Sequence, residues 1–180
     1  MQRRKNRSTS GFTLIEVLVS MAILAAGVLS LAGFFAQGLK ASYQTQIQYI
    51  AQEKAQEAME TIFTARDTKV LTYAQIANVS QGGVFLDGPQ PLCASGPDGL
   101  FGTQDDVTSQ PDTVVVAPGP DQTFGTADDV TINLNPWMTR TIQIQPTTTP
   151  GLNKITVTIN WVYQGQALSY QIISYISDYS

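Results

Sequence analysis

The most constraining feature of this chain is an apolar stretch of 24 residues, Phe12 to Phe35, whose only formal charge is Glu16. The preceding residues 1–11 carry four basic side chains and no acidic one. At about 1.5 Å of rise per residue, a helix of this length is long enough to cross a bilayer. The sequence therefore predicts a leader over residues 1–11 and a transmembrane helix over residues 12–35.

The small residue beside the apolar stretch lies before it rather than after it. Gly11 is followed by Phe12 and then by the run Thr13-Leu14-Ile15-Glu16, whereas a secretory signal is cleaved after its apolar region. The arrangement resembles the prepilin-type, or class III, signal of type IV pilins and type II secretion pseudopilins. The resemblance implies that a prepilin peptidase cuts the bond between Gly11 and Phe12 and methylates the new amine of Phe12.

Glu16 needs a compensating interaction, because a carboxylate at the centre of a bilayer costs about 2.5 to 3.5 kcal/mol on insertion scales and less near an end. It lies four residues after Phe12, where its charge also complements the helix dipole. In a bundle of such helices we expect Glu16 to pair with the Phe12 amine of a neighbouring subunit. The alternative is that Glu16 lies in the headgroup region without a role.

The residues that follow Glu16 point to a particular subgroup of these proteins. The runs Val17-Leu18-Val19, Ala22-Ile23-Leu24 and Gly27-Val28-Leu29 look most like the minor pilins called type IV pilus modification proteins. This implies a single-pass precursor in the bacterial inner membrane with an extracytoplasmic domain, which joins other pilins through its helix and primes or modifies the filament. The alternatives are a pseudopilin of a type II secretion system and an adhesive binding domain at the pilus tip.

Composition argues against other classes of protein. Loss of the leader lowers the formal charge from −4 to −8, because its four charges are all positive, so net charge disfavours nucleic-acid binding. The chain has no histidine, the usual general base at neutral pH, and no phosphate-binding glycine loop, so we expect no enzyme. Cys93 is the single cysteine, and we expect its thiol to be buried or paired between chains.

The helical pattern continues beyond the apolar stretch, over residues 36–65, in an amphipathic form. Apolar side chains recur there at three- and four-residue steps, which predicts one helix whose apolar stripe packs on the domain that follows. The members of this stripe are Tyr43, Ile47, Ile50, Ala51, Ala55, Ala58, Met59 and Ile62. Glu53, Lys54, Glu57 and Glu60 are expected on the solvated side. Residues 66–180 then form one globular domain, an ordinary size for a single core.

The last third of the chain changes to a two-residue period, which predicts half-buried antiparallel strands. The clearest strands are residues 139–145 and 154–163, and the turn at Gln164-Gly165-Gln166 predicts a hairpin with residues 167–176. Shorter strands are expected at 113–117 and 130–134. A long helix packed on an antiparallel sheet gives an α+β fold.

An internal repeat lies between the helix and the hairpin, within residues 96–130. Residues 96–107 (GPDGLFGTQDDV) recur at 119–130 (GPDQTFGTADDV), with nine of twelve positions identical, and no Lys or Arg occurs from Val70 to Thr139. Dense carboxylates without basic partners are commonly neutralised by a hard cation, so the repeat predicts Ca²⁺ ligands. The candidates are Asp98, Asp105, Asp106, Asp121, Asp128 and Asp129. The alternative is a pair of solvated Asp/Gly-rich turns, since the spacing does not match an EF-hand loop.

Overall fold

The computed structural model describes residues 11–178, which form one long helix followed by a β-rich region. Helix α1 runs from Leu14 to Asp67. The chain divides after Thr45 into two compact units, and α1 passes through the division. In the first unit every described side chain is exposed. The first unit is therefore a bare helix whose apolar surface is covered by nothing within the described chain.

The second unit contains the end of α1 and eight strands. The strands are β1 (Gln90–Pro91), β2 (Cys93–Ala94), β3 (Val107–Pro111), β4 (Thr113–Ala117), β5 (Val130–Asn133), β6 (Met138–Pro146), β7 (Leu152–Tyr163) and β8 (Gln166–Ser177). The principal sheet is antiparallel with the order β1-β6-β7-β8, while β2 pairs with β3 and β4 with β5 in two small ribbons. Strand β8 therefore forms one edge of the principal sheet.

One hydrophobic core joins α1 to the principal sheet. Its helical side is the stripe of α1 from Ile47 to Ala65, and its sheet side comes from alternate residues such as Ile144, Ile155 and Ile159. Because neighbouring residues of a strand point to opposite faces, the intervening side chains face away from this core. Most of them are polar, and Val162, Ile173 and Tyr175 are exposed exceptions. Removal of these apolar side chains from water stabilises the unit by roughly 25 cal/mol per Å² of apolar surface buried.

The predicted α+β fold is confirmed, and the three long strands lie within two residues of their predicted bounds. The short strands at residues 113–117 and 130–134 are also present, the second ending at Asn133. Strands β1, β2 and β3 were not predicted, because they are short and β1 and β3 contain proline, which removes a main-chain donor. Cys93 is buried, as expected.

Two predictions about the amphipathic part of α1 are wrong. Lys54 lies in the buried stripe and is 8% exposed, because Asp112 and Glu57 neutralise its charge there. Tyr43 was expected to begin the buried stripe, yet it is 48% exposed and burial begins at Ile47. Glu53 and Glu60 are exposed, as predicted, and Glu57 is half-buried.

Candidate functional site

The predicted processing site lies immediately before α1. Gly11, Phe12 and Thr13 precede the first helical residue, and all three are exposed. The N–H groups of Glu16 and Val17 donate to the Thr13 carbonyl over 3.1 and 3.3 Å, so the first turn of the helix is already hydrogen-bonded. A cut after Gly11 would therefore leave Phe12 almost at the head of a formed helix.

Glu16 lies in the first turn of α1 with an exposed side chain. None of the ion pairs formed within residues 11–178 includes it. Its main-chain carbonyl accepts a hydrogen bond from Ser20 Oγ over 2.7 Å, which is ordinary within an apolar helix. The carboxylate is thus available for a partner outside the described chain.

The first acidic loop, residues 96–107, is organised by its own carboxylates. Asp98 Oδ1 accepts from the Leu100 N–H over 2.8 Å, and Asp106 Oδ2 accepts from the Gly102 N–H over 2.7 Å. The Thr103 hydroxyl lies 2.8 Å from Asp105 Oδ1 and 3.3 Å from Asp106 Oδ1. The three predicted ligands therefore lie in one hydrogen-bonded loop, in which the Thr103 hydroxyl links Asp105 to Asp106.

The second acidic loop, residues 119–130, repeats this pattern. Asp121 Oδ1 accepts from the Thr123 N–H over 2.8 Å, and Asp129 Oδ2 accepts from the Gly125 N–H over 2.6 Å. The Thr126 hydroxyl bonds Asp128 Oδ1 over 2.7 Å. The two copies thus share a local structure as well as a sequence pattern. The threonine at the same position of each copy, Thr103 or Thr126, bonds a carboxylate of its loop, and we did not predict this role.

Glycine at the head of each copy has a steric reason. A Cβ atom at Gly96 would overlap the carboxylate of Asp105, and one at Gly119 would overlap the carboxylate of Asp128. In both copies the same carboxylate also faces the N–H of the aspartate two residues after that glycine, Asp98 or Asp121. The repeated glycine therefore makes room for a repeated carboxylate that holds the turn.

The two copies differ in their surroundings. Phe101 of the first copy is buried and lies under Arg140, whose guanidinium carbon is 4.2 Å from the ring centroid, while the equivalent Phe124 is 64% exposed. Burial raises the pKa of Asp106, although hydrogen bonds and the Arg140 charge act in the opposite direction. The premise that the acidic stretch has no basic partner is therefore wrong for the first copy.

Hydrogen bonds from threonine favour the ionised form of one exposed aspartate in each copy. The hydrogen bond from Thr103 lowers the pKa of Asp105, and that from Thr126 lowers the pKa of Asp128. Within residues 11–178, no group of three or more His, Cys, Asp or Glu side chains is arranged to hold a metal ion. Calcium binding by the six predicted aspartates stays a prediction.

Arg140 and Asn78 are important buried residues that sequence patterns did not reveal. Arg140 is 1% exposed, and its Nε and Nη1 atoms have no hydrogen-bond partner in the described chain. The Asn78 amide donates to the Ile142 carbonyl over 2.8 Å and accepts from the Ile144 N–H over 2.7 Å. It thereby extends the edge of β6 beyond the two residues that β1 pairs.

The fold and the head of α1 define a class of protein: an α+β domain carried on an exposed apolar helix of membrane-spanning length. Among protein families, the model of the prokaryotic N-terminal methylation motif matches residues 6–32. The chain therefore carries the prepilin-type signal of type IV pilin-like proteins, which also include pseudopilins. Neither the curated proteins nor the solved structures give a match.

This match bears out the coarser predictions about function. The motif implies processing by a prepilin peptidase and assembly with other pilins, and it indicates a structural subunit rather than an enzyme. The motif and the apolar helix are those expected of a membrane-anchored precursor. The matched segment contains Gly11, Phe12 and Glu16, the three residues predicted for cleavage, methylation and assembly.

Proposed function

We propose that this chain is a minor subunit of a type IV pilus, which is held in the inner membrane before assembly and then primes or modifies the filament. The observation that carries the proposal is the continuity of α1. Its first part is apolar and exposed, while the stripe from Ile47 to Ala65 forms the core of the β-rich unit. One continuous helix thus contains an apolar segment suited to a membrane or filament and also the helical side of the core of a folded extracytoplasmic unit.

The assembly step uses the new amino terminus. After cleavage between Gly11 and Phe12, the Phe12 amine carries a positive charge at the head of α1. Glu16 of a neighbouring subunit neutralises this amine, so that two charges that are each costly in lipid enter the filament as a pair. Glu16 suits this role because no ion pair within the described residues occupies its carboxylate.

Processing is tested by the mass of the mature protein. We expect intact-mass and N-terminal peptide measurements to show a chain that begins with methylated Phe12. Gly11→Val should retain the leader and accumulate as membrane precursor, while Gly38→Ala, which lies in open space within α1, should be processed normally. A mature protein that keeps residues 1–11 in the unmodified chain, or that begins after Phe35, would contradict the proposal.

The assembly role is tested by comparing Glu16→Ala with Glu53→Ala, which removes an exposed carboxylate from the distal part of α1. Both variants should insert into the membrane and fold. Only Glu16→Ala should be depleted from sheared filaments relative to the membrane fraction, because it leaves the neighbouring amine unpaired. Equal incorporation of the two variants would refute the pairing.

The same preparation separates the minor pilin from its alternatives. A minor subunit is present in sheared filaments at a small fraction of the main pilin, and its deletion reduces piliation. Loss of protein secretion with normal piliation would instead identify a pseudopilin of a type II secretion system. Normal piliation with a loss of surface attachment would identify an adhesive tip subunit.

A further inference from the structure

A groove at one end of the principal sheet contains both tryptophans of the chain. Its volume is about 320 Å³, and its walls include Trp137 and Trp161 together with Asn160, Thr139 and Ser169. None of the nine residues that line it is ionisable. An uncharged, partly aromatic concavity with several hydrogen-bonding groups is the usual composition of a site for a small or extended ligand.

The floor of the groove is a row of polar side chains across three strands. Thr139 of β6 is opposite Asn160 of β7, which is opposite Ser169 of β8. Their neighbours Met138 and Trp161 belong to the core, so the three polar side chains lie on the outer face of the sheet by alternation. Two hydroxyls and one amide in a row offer both donors and acceptors at fixed spacing.

Trp137 is held in place beside this floor. Its side chain is partly buried, and its indole N–H donates to the Asn133 carbonyl over 2.6 Å. The hydrogen bond fixes the orientation of the ring, so a ligand that stacks on it need not order it.

The uncharged surface continues along the sheet from the groove. The next row is Thr141, Thr158 and Gln171, in which the Gln171 amide donates to the Thr158 hydroxyl over 3.2 Å. This row contains no acid, although the whole chain carries a formal charge of −4. The two rows together therefore suit a neutral ligand that is longer than the groove itself.

We propose that this groove binds a neutral oligosaccharide. A sugar ring presents an apolar C–H face that packs on an aromatic ring, and its edge carries hydroxyls that both donate and accept hydrogen bonds. Trp137 supplies the stacking wall, and the row of Thr139, Asn160 and Ser169 supplies the hydrogen bonds. The absence of ionisable lining residues excludes the charge pairing on which an acidic or phosphorylated ligand depends. The proposal stands whether or not the chain is a pilus subunit.

The test uses the full chain in micelles of a zwitterionic detergent without a sugar headgroup. Because both tryptophans of the protein line the groove, tryptophan fluorescence reports on this site directly. Cellohexaose, chitohexaose and maltohexaose are titrated separately, and a proline-rich peptide is titrated as a ligand of another class. We expect a saturable change in fluorescence with at least one of the three hexasaccharides and none with the peptide.

Two variants and a control localise the binding. Ser169→Glu places a carboxylate on the exposed floor without altering the core, and it should weaken binding by about tenfold or more because a sugar would desolvate the charge. Trp137→Ala should abolish binding and is scored by calorimetry, with its thermal unfolding measured alongside. Phe124→Ala removes an exposed aromatic ring outside the groove and should bind normally.

The proposal is overturned by three results. The first is the absence of a saturable signal with all three hexasaccharides at millimolar concentration. The second is unchanged affinity in Ser169→Glu, which would place the sugar elsewhere. The third is saturable binding of the proline-rich peptide in place of the sugars, which would assign the groove to a protein partner.

Discussion

The inward-facing Lys54 offers the sharpest test of how α1 is attached to the β-rich unit. Its Nζ atom lies 2.9 Å from Glu57 Oε2 and 3.0 Å from both carboxylate oxygens of Asp112, with hydrogen-bond geometry toward Oδ1. Asp112 lies 58 residues away in the chain and between strands β3 and β4. The pair therefore joins the helix to the segment between the two acidic loops.

The substitution Lys54→Met keeps an unbranched side chain that is one atom shorter, and it removes the charge. At 3.0 Å and an effective dielectric constant of about 20, the Coulomb attraction to Asp112 is roughly 5 kcal/mol, much of it offset by desolvation of both groups. Removing one partner of a buried pair costs about 3 to 5 kcal/mol because the other charge is left uncompensated. The Glu57 side chain is 40% exposed, so its share is small. We expect a loss of about 3 kcal/mol, which lowers Tm by roughly 10 °C.

The assay is thermal and denaturant unfolding of the full chain in micelles, followed by tryptophan fluorescence, since both tryptophans lie in the β-rich unit. Lys40→Met is the control, because Lys40 is exposed on the same helix and takes part in none of the ion pairs of the described residues. The double variant with Asp112→Asn should lose less than the sum of the two single variants. A Lys54→Met loss no greater than that of the control would refute the reasoning.

The pH dependence has a defined sign. Burial alone would lower the pKa of Lys54, but the hydrogen bonds and charges of Glu57 and Asp112 raise it above its ordinary value. A raised pKa stabilises the folded state below the unfolded-state pKa of about 10.4, and this contribution disappears as pH rises through the folded-state pKa. The difference between wild type and Lys54→Met should therefore shrink above about pH 10.4, and a constant difference through strongly alkaline pH would argue against it.

Two further predictions concern the β-rich unit. Asn78→Ala should destabilise it by about 2 to 6 kcal/mol in denaturant unfolding, because two buried main-chain groups of β6 each lose a partner, and a loss below about 1 kcal/mol would show that water replaces the amide. If the acidic loops bind Ca²⁺, saturating calcium should raise Tm, by the equivalent of about 2.7 kcal/mol at a hundredfold excess over Kd, with less effect from Mg²⁺. The double variant Asp105→Asn with Asp106→Asn should remove part of this shift, and so should the double variant Asp128→Asn with Asp129→Asn. A melting curve that neither calcium nor a chelator moves would mean that the loops are solvated turns.

The sequence was sufficient wherever one local pattern determines a structure. The apolar stretch, with Gly11 before it and Glu16 within it, predicted the signal. Strict alternation predicted β6 and β7, because the strand period has only one solution that buries the apolar side chains, and the turn at residues 164–166 predicted β8 as the partner of β7. Lys54 was beyond such reasoning, since a lysine between two glutamates of a helix is normally solvated. Its burial depends on Asp112, whose position beside the helix is set by the tertiary fold. Asn78 is similar, because only the arrangement of β6 shows which main-chain groups it satisfies.

The internal repeat shows both effects in one chain: the local sequence determines the structure of each loop, and the tertiary fold determines its charge environment. The hydrogen bonds that the carboxylates accept within each copy connect residues at most ten positions apart, so similar sequences give similar loops. The charge environment differs because Arg140, which follows both copies in the chain, lies against Phe101 of the first copy while Phe124 of the second is exposed. A fixed guanidinium charge opposes a cation in its vicinity. Any calcium affinity of the repeat should therefore reside mainly in the second copy, so that changing Asp128 and Asp129 removes the larger part of a calcium-dependent shift in Tm.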